Sequence, residues 1–505
     1  MDFGVINRPC NPYLCRMTVT TVDEMRSRLG VLYQNWAGKR AADILLLPKA
    51  GSDRHYFRLG KPGPTVVGVY NSDHKENEAF VYFSRHFHGL GLPVPQVFAH
   101  DLENGIYIQE DLGDLPLLGM LEAQRTDGNL PRSVLEVYEK SLRQLALLHI
   151  RGHEGLDYGK CFARPTFDTQ SMAWDLAYFK YYFLKLAKVH FDEQLLEDDF
   201  VSLARYLDTA PLKGFMHRDF QARNIMVRDH EPFFIDFQGG RFGAVQYDLA
   251  SLLYQAKAGI PAQTREHLLN VYLEALKKLV PVDESVFKEY FRGFVLIRTL
   301  QVLGAYGFRG LYEGRRHFLE SIPAALDNLR EWLGSGPLPV AIPHLRQILQ
   351  QVVEDKNVAK WGQKPEKAGG VTVTVSSFSF KEGIPTDPSG NGGGFVFDCR
   401  GILNPGRFPT YKSQTGRDKP VIDFLLQNTQ VEDFLRHAFA MVEATVEDYA
   451  RRGFTHLMVS FGCTGGQHRS VFCADQMAHH LKDKLGAQVV LNHVVQDRKN
   501  WRNEP

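Results

Sequence analysis

The sequence predicts an α+β domain built in two lobes, followed by a separate, smaller α/β domain. Three observations predict it. Strand-like segments cluster in residues 28–115, and residues 130–333 carry helical periodicity broken by one short β-rich island at residues 215–236. Strand–helix alternation then restarts at Val371, beyond a breaker-rich stretch.

Bulk properties agree with a multidomain globular protein. The chain has 505 residues, more than one ordinary core holds, with 44% apolar and 23% charged residues. A net charge of +1 gives no bulk attraction to nucleic acid or to a membrane surface. The six cysteines, Cys10, Cys15, Cys161, Cys399, Cys463 and Cys473, form no paired framework and read as free thiols of a reducing, cytoplasmic compartment. Residues 1–16 lack the apolar core of a signal peptide and read as a disordered extension, and no later stretch is long and apolar enough to span a bilayer.

In the small lobe, residues 44–47 and 55–59 read as strands flanking a turn-like segment from Lys49 to Arg54. Residues 65–70 form a β-branched run, Phe80, Phe83 and Phe87 repeat at helical spacing, and residues 94–100 and 106–109 complete a sheet. The helical lobe reads as helices over 135–149, 171–189, 193–207, 263–278, 284–303 and 315–332. A first domain of residues 17–335 is followed by an expected linker, 336–370, holding one helix at 345–353. The last domain, 371–505, opens on a β-branched strand and continues through a glycine-rich loop (390–394), a helix (431–451), a strand (456–461) and a helix (470–484).

The chemistry concentrates in the island. His217, Asp219 and Asn224 stand at His-x-Asp-x-x-x-x-Asn spacing, and an apolar strand then ends in Asp236 and Phe237. Phosphoryl transfer from ATP needs a carboxylate at the acceptor hydroxyl and oxygen ligands for a Mg²⁺ that bridges the phosphates. Asp219 is the candidate catalytic residue, and Asn224 and Asp236 are the candidate metal ligands. A sheet lobe followed by a helical lobe with an embedded hairpin is the layout of kinases.

This constellation resembles the aminoglycoside phosphotransferase superfamily, small-molecule kinases of protein-kinase-like fold. Within it, residues 216–227, 235–238 and 243–253, with Gly51, Ser52, Asp53, Arg54 and residues 110–113, resemble the bacterial kinases that phosphorylate the anomeric hydroxyl of N-acetylmuramate and N-acetylglucosamine. The resemblance covers about residues 20–335 and implies ATP and Mg²⁺ as cofactors and a sugar as substrate. It implies that Gly51, Ser52, Asp53 and Arg54 cover the nucleotide phosphates, that Glu110 and Leu112 form the hinge at the adenine, and that Asp175 and Arg218 face the substrate. One departure stands out: the third strand, residues 65–70, lacks the lysine that kinases usually place against the α- and β-phosphates. Mg²⁺ or an arginine, Arg54 or Arg58, must supply that cation, or the lobe is a vestigial kinase within a ligand-sensing adapter. A different acceptor, such as choline, homoserine or an aminoglycoside, is the third reading.

The C-terminal domain has its own loop. A strand leads into Gly462, Cys463, Thr464, Gly465, Gly466, Gln467, His468, Arg469 and Ser470, and a helix follows. Backbone N–H groups and a helix N-terminus converging at one point suit an anion. Residues 371–380, 397–400, Asn404, Pro405, 415–421 and this loop resemble the C-terminal domain of the RapZ family of RNase adapter proteins. The resemblance implies an amino-sugar phosphate, glucosamine-6-phosphate, held by Thr464, Gly465, Gly466, His468, Arg469 and Ser470, with RNA and protein contacts as family properties. Family members carry histidine after Asn-Pro, where this chain has Gly406 and Arg407, and a terminal His-Arg pair is here His493 and Val494; RNA binding therefore does not carry over residue for residue. Cys463 and Arg469 also match the Cys-x5-Arg spacing of cysteine phosphatases, although a small buried thiol satisfies the same positions.

Overall fold

The computed structural model describes residues 20–48, 54–60, 64–126, 128–313, 315–355, 358, 361, 370–387, 389 and 393–499. The expected extension at 1–16, residues 51–53 of the expected phosphate turn, and most of the glycine-rich loop at 390–394 lie outside the described residues. The chain divides into two compact units, Met1–Gly362 and Gln363–Pro505.

The first unit opens with helix α1 (Val22–Ala37), whose N-terminus is fixed by a capping box between Thr21 and Glu24. A five-stranded antiparallel sheet follows, in the order β1 (Ile44–Leu46), β2 (His55–Leu59), β3 (Val66–Tyr70), β5 (Ile106–Glu110), β4 (Val97–Asp101). Alternation along β3 and β5 decides what each face covers. Val66, Ile106 and Ile108 join Leu29 and Tyr33 of α1 in one cluster. Val67, Val69 and Tyr107 join Phe80, Phe83 and Phe87 of α2 (His74–Gly89) in the larger core. A Cβ on Gly68 would come within 2.8 Å of Leu29, so β3 is open at that point to admit α1.

Helices α3 (Leu117–Gln124), α4 (Arg132–Ile150), α5 (Thr169–Phe179) and α6 (Glu193–Asp208) lead into the island. There β6 (Lys213–Met216) pairs with β9 (Arg241–Ala244), and β7 (Ile225–Arg228) with β8 (Glu231–Phe234), both antiparallel. Helices α7 (Gln246–Leu253), α8 (Ala262–Lys277), α9 (Glu284–Tyr306), α10 (Arg316–Leu319), α11 (Ile322–Gly334) and α12 (Pro343–Glu354) complete the unit.

Three differences from expectation have physical causes. The helix expected over 171–189 is α-helical only to Phe179 and continues as a π-helical turn, Lys180–Leu184. It faces a second such turn, Gly307–Tyr312, at the end of α9, where a Cβ on Gly307 would lie 1.9 Å from the Tyr182 carbonyl oxygen. The helix expected over 315–332 is broken into α10 and α11. The helix expected inside the linker is built into the first unit's core through Leu345, Ile348, Leu349 and Val352, and the Leu345 N–H donates to Asp199 Oδ2 at 2.7 Å.

The second unit is a parallel four-stranded sheet in the order β11 (Gly394–Asp398), β12 (His456–Cys463), β10 (Thr372–Ser379), β13 (Gln488–His493). Its helices are α13 (Lys419–Asn428), α14 (Val431–Arg452), α15 (Arg469–Leu485) and α16 (Val494–Lys499). Val373, Val375, Leu457, Val459 and Phe461 pack against Phe472, Met477 and Leu481 in a separate core. The β10-to-β11 connection passes β12 and the β12-to-β13 connection passes β10 in the opposite direction, and the glycine-rich loop follows β12 at the carboxyl edge of this parallel sheet. Among the described residues no helix is long and apolar enough to cross a membrane.

Candidate active site

The segment between β6 and β7 is held in place from below by Asp248 of α7, which is fully buried. Its carboxylate accepts the His217 N–H at 2.6 Å and the Arg218 N–H at 2.9 Å, and His149 Nε2 lies 3.1 Å away. His149 reaches the Tyr272 hydroxyl with its other nitrogen, at 2.7 Å, so the chain of contacts runs into the helical core. His217 Nε2 donates to the Ile235 carbonyl at 3.0 Å, and the Ile235 N–H donates to the Asn224 carbonyl at 3.0 Å. These bonds fix the residue after Ile235, Asp236, relative to Asp219 and Asn224.

Two non-glycine residues adopt the left-handed region here, Arg218 (φ +79°) and Asp236 (φ +65°). Such strain persists only where surrounding bonds over-determine the backbone, and it gathers at functional sites. The Arg218 guanidinium donates to Asp175 Oδ1 at 2.6 Å and to the Tyr247 hydroxyl, and it stacks over the Phe167 and Tyr247 rings. The structure thus pairs the two expected substrate-facing residues with each other, and the second oxygen of Asp175 is buried without a partner among the described residues.

Asp219 lies between two arginines. Arg298 of α9 donates to its Oδ1 at 2.9 Å and Arg223 to its Oδ2 at 2.7 Å, while Gln221 donates to Oδ1 at 2.9 Å. Burial pushes the carboxyl up, but the Arg298 and Arg223 charges outweigh it and bring the pKa down to about 2. Asn224 Nδ2 donates to the Asp219 carbonyl at 2.9 Å and to Oδ2 at 3.2 Å, which turns the amide oxygen away from Asp219. Asp236 gives Oδ1 to Arg54 at 3.1 Å and to Gln238 at 2.7 Å, and its Oδ2 has no hydrogen-bond partner among the described residues.

Arg54, the residue just before β2, is 6% exposed, and it donates to Glu76 of α2 as well as to Asp236. Glu76 is held in turn by Asn71, whose Nδ2 donates to Oε2 at 2.6 Å. The other candidate, Arg58, is used elsewhere, in a fork to Asp111 at 2.6 and 3.1 Å and to Asp114 at 2.8 and 3.0 Å. At the expected hinge, Glu110 pairs with Arg228 at 2.7 Å. Leu112 is buried, and its backbone N–H and C=O take no partner among the described residues.

A pocket of about 350 Å³ opens over Asp219, with Arg218, Arg223, Lys257, Arg298, Tyr306 and Phe318 in its wall. Sequence reasoning missed Arg298, Arg223, Lys257 and Glu76. A signal was present for Arg298, the single charge in the run 294–300, where every other residue but Thr299 is apolar.

In the second unit the expected anion loop is more closed than its sequence suggests. Thr464 and Gly465 are exposed, whereas Gly466, His468, Arg469 and Ser470 are buried. Arg469, expected as a bidentate donor to an anion, directs Nη1 to the carbonyls of Ile402 at 2.8 Å and Arg400 at 3.1 Å. His468 Nε2 meets the Tyr411 carbonyl at 2.8 Å, and burial lowers its pKa. Ser470 Oγ lies 3.1 Å from Cys463 Sγ. Burial pushes the Cys463 thiol up, but the Ser470 hydroxyl, loop N–H groups and the Arg469 charge bring it below its ordinary value; at 3% exposure it is a buried thiol.

Comparison with known proteins matches residues 43–285 to the phosphotransferase enzyme family and residues 371–497 to the RapZ C-terminal domain. A nucleotide-binding protein of Thermotoga neapolitana is 39% identical over 127 residues, 25% of this chain and 43% of the relative. One of Ruminiclostridium cellulolyticum is 38% identical over 124 residues, 25% of this chain and 40% of the relative. The chain thus spans under half the length of these curated relatives. Similar solved structures include choline kinase from Cryptosporidium parvum (TM-score 0.44, 14% identity, 65% of this chain and 100% of that one). Another is an amicoumacin kinase in complex with AMP-PNP and Ca²⁺ (TM-score 0.41, 12% identity, 60% and 91%). Residues 43–285 are a domain of the phosphotransferase enzyme family, and residues 371–497 are a RapZ C-terminal domain.

Proposed function

We propose that the first unit transfers the γ-phosphoryl group of ATP to the anomeric hydroxyl of a small sugar, N-acetylmuramate or N-acetylglucosamine, in the recycling of cell-wall sugars. The reading is carried by one observation: a carboxylate held ionised by Arg298 and Arg223 lines a small-molecule pocket, and the oxygen of Asn224 and one oxygen of Asp236 take no hydrogen-bond partner among the described residues. The acceptor oxygen bonds to the γ-phosphorus, the bond from that phosphorus to the β–γ bridging oxygen breaks, and ADP leaves with the electron pair. The hydroxyl proton passes by way of Asp219 to solvent. A carboxylate with a pKa near 2 is a weak base, so Asp219 acts chiefly by orienting the hydroxyl. That suits a loose, metaphosphate-like transition state, which demands little proton abstraction.

The donor set fits magnesium. An amide oxygen and a carboxylate oxygen are hard ligands, and two protein ligands suffice for an ion that fills its other positions with phosphate oxygens and water. Held by Asn224 and Asp236, Mg²⁺ would neutralise charge on the phosphates. Arg54, braced by Glu76, supplies the cation missing from β3, which favours a working kinase over a vestigial one. Gly51, Ser52 and Asp53 would cover the phosphates, and Glu110 and Leu112 would meet the adenine. Asp175 would act on the substrate through Arg218.

The second unit would bind an amino-sugar phosphate at the loop from Thr464 to Ser470, with Thr464 and Gly465 as its exposed donors, and so report the sugar-phosphate pool to the kinase. Four free cysteines among the described residues fit a cytoplasmic setting. The test is an acceptor screen with ATP and Mg²⁺, read by phosphorus NMR. A sugar 1-phosphate is expected, and phosphorylation of choline or homoserine alone would refute the sugar assignment.

A further inference from the structure

We propose that the acceptor of the first unit carries a negative group, a carboxylate or a phosphate, in addition to the hydroxyl that receives the phosphoryl group; this rests on the kinase reading above. The pocket over Asp219 holds about 350 Å³, within the usual range for a small-molecule site. Among its described lining residues, four cations, Arg218, Arg223, Lys257 and Arg298, face the one carboxylate of Asp219. Setting Asp175, the partner of Arg218, against them still leaves an excess of two positive charges.

These cations differ in how they are held. The Arg298 side chain is 7% exposed, and it is locked by Ser251 at 3.0 Å, by Gln301 and by Asp219. It is a fixed, desolvated charge next to the reacting centre, where water screens it least. Arg223, 53% exposed at its side chain, and Lys257, also exposed, stand where an incoming anion would meet them first. Tyr306 and Phe318, with ring centroids 6.1 Å apart, give the pocket an apolar wall.

The nucleotide side has a separate cation: Arg54, on the sheet lobe, bound to Glu76 and Asp236. The four pocket cations stand on the segment 218–223, just after α7, and on α9, all within the helical lobe. A positively charged acceptor would enter against them, a neutral sugar would gain nothing from Arg223 and Lys257 at the pocket's exposed side, and an acidic sugar would pair with them. An anion also accepts the donors that Arg223 and Lys257 present, so the same groups set both attraction and orientation.

The test uses the full chain with ATP and Mg²⁺ and compares kcat/KM for four acceptors: N-acetylmuramate, N-acetylglucosamine 6-phosphate, N-acetylglucosamine and choline. At least one of the two acidic sugars should exceed N-acetylglucosamine roughly tenfold, and choline should be the poorest. The muramate and 6-phosphate arms separate carboxylate from phosphate. Lys257→Glu should lower kcat/KM for the preferred acidic sugar roughly tenfold while changing the KM for ATP by less than about twofold. Equal or better turnover of N-acetylglucosamine or choline overturns the proposal and leaves the kinase reading intact. If no acceptor is phosphorylated, yet calorimetry shows N-acetylmuramate binding the wild type and not Lys257→Glu, the kinase reading fails and the pocket assignment stands. Absence of both turnover and binding overturns both.

Discussion

Asp219 shows how neighbours set the task of a single carboxylate. With its pKa at about 2, it is ionised throughout the neutral range, so between pH 5 and pH 8 kcat/KM should be flat with respect to this group. Arg298→Gln removes the largest force holding the proton off; the Asp219 pKa rises, and the acid limb of the kcat/KM profile should move up toward neutrality. The same depression below the unfolded value near 4 stabilises the fold above that pH, and the contribution is lost as pH falls toward 2. Arg54→Ala would strip Glu76 and Asp236 of their shared cation, and the KM for ATP should rise by roughly tenfold or more. Asp219, Asn224 and Asp236 were legible in the sequence because they lie within one hairpin's length, where spacing alone brings them together. Arg298 reaches Asp219 across 79 positions and Arg54 reaches Glu76 across 22, so only tertiary packing unites them. The sequence offers Arg54 and Arg58 equally for the missing strand cation; in the structure Asp111 and Asp114 take Arg58, and Arg54 sits against Glu76 and Asp236.

At the scale of elements, α7 matters for where its N-terminal turn sits. Asp248 satisfies two successive backbone N–H groups at the strained entry to the catalytic segment and meets His149 behind them. Asp248→Asn leaves the buried set with one acceptor oxygen too few. Stability should fall by about 3 kcal/mol in denaturant titration, with the slope against denaturant unchanged. Helices α4, α6 and α8 were readable from periodicity, since each buries one face, and β3 was readable from its β-branched run, which is buried on both faces. Helix α1 was not read, because of its scattered apolar residues only Met25, Leu29 and Tyr33 are buried; its signature was the Thr21 to Glu24 capping box. The break of 171–189 into a helix and a π-helical turn is set by the close approach of α9 at Gly304 and Gly307, and hydropathy carries no trace of that contact.

For the whole molecule, the core of the second unit shares no residue with the two clusters of the first, so each unit is built around its own apolar interior. The boundary near residue 362 was blurred in the sequence because the breaker cluster at 334–340 precedes α12, whose apolar face belongs to the first core. If the second unit reports a sugar-phosphate pool to the first, adding glucosamine-6-phosphate should change the rate of sugar phosphorylation several-fold, within the usual span of allosteric coupling. Identical rates with and without it would refute the coupling. The central claim, that Asp219 directs phosphoryl transfer to a sugar hydroxyl, is tested most directly by following ADP and phosphosugar together for the wild type and Asp219→Asn. The account predicts one phosphosugar per ADP in the wild type and a kcat lower by roughly 10²–10⁴ in the variant, with Mg·ATP affinity nearly intact. Equal kcat in the two proteins, or ADP formed without a phosphorylated acceptor, would contradict it.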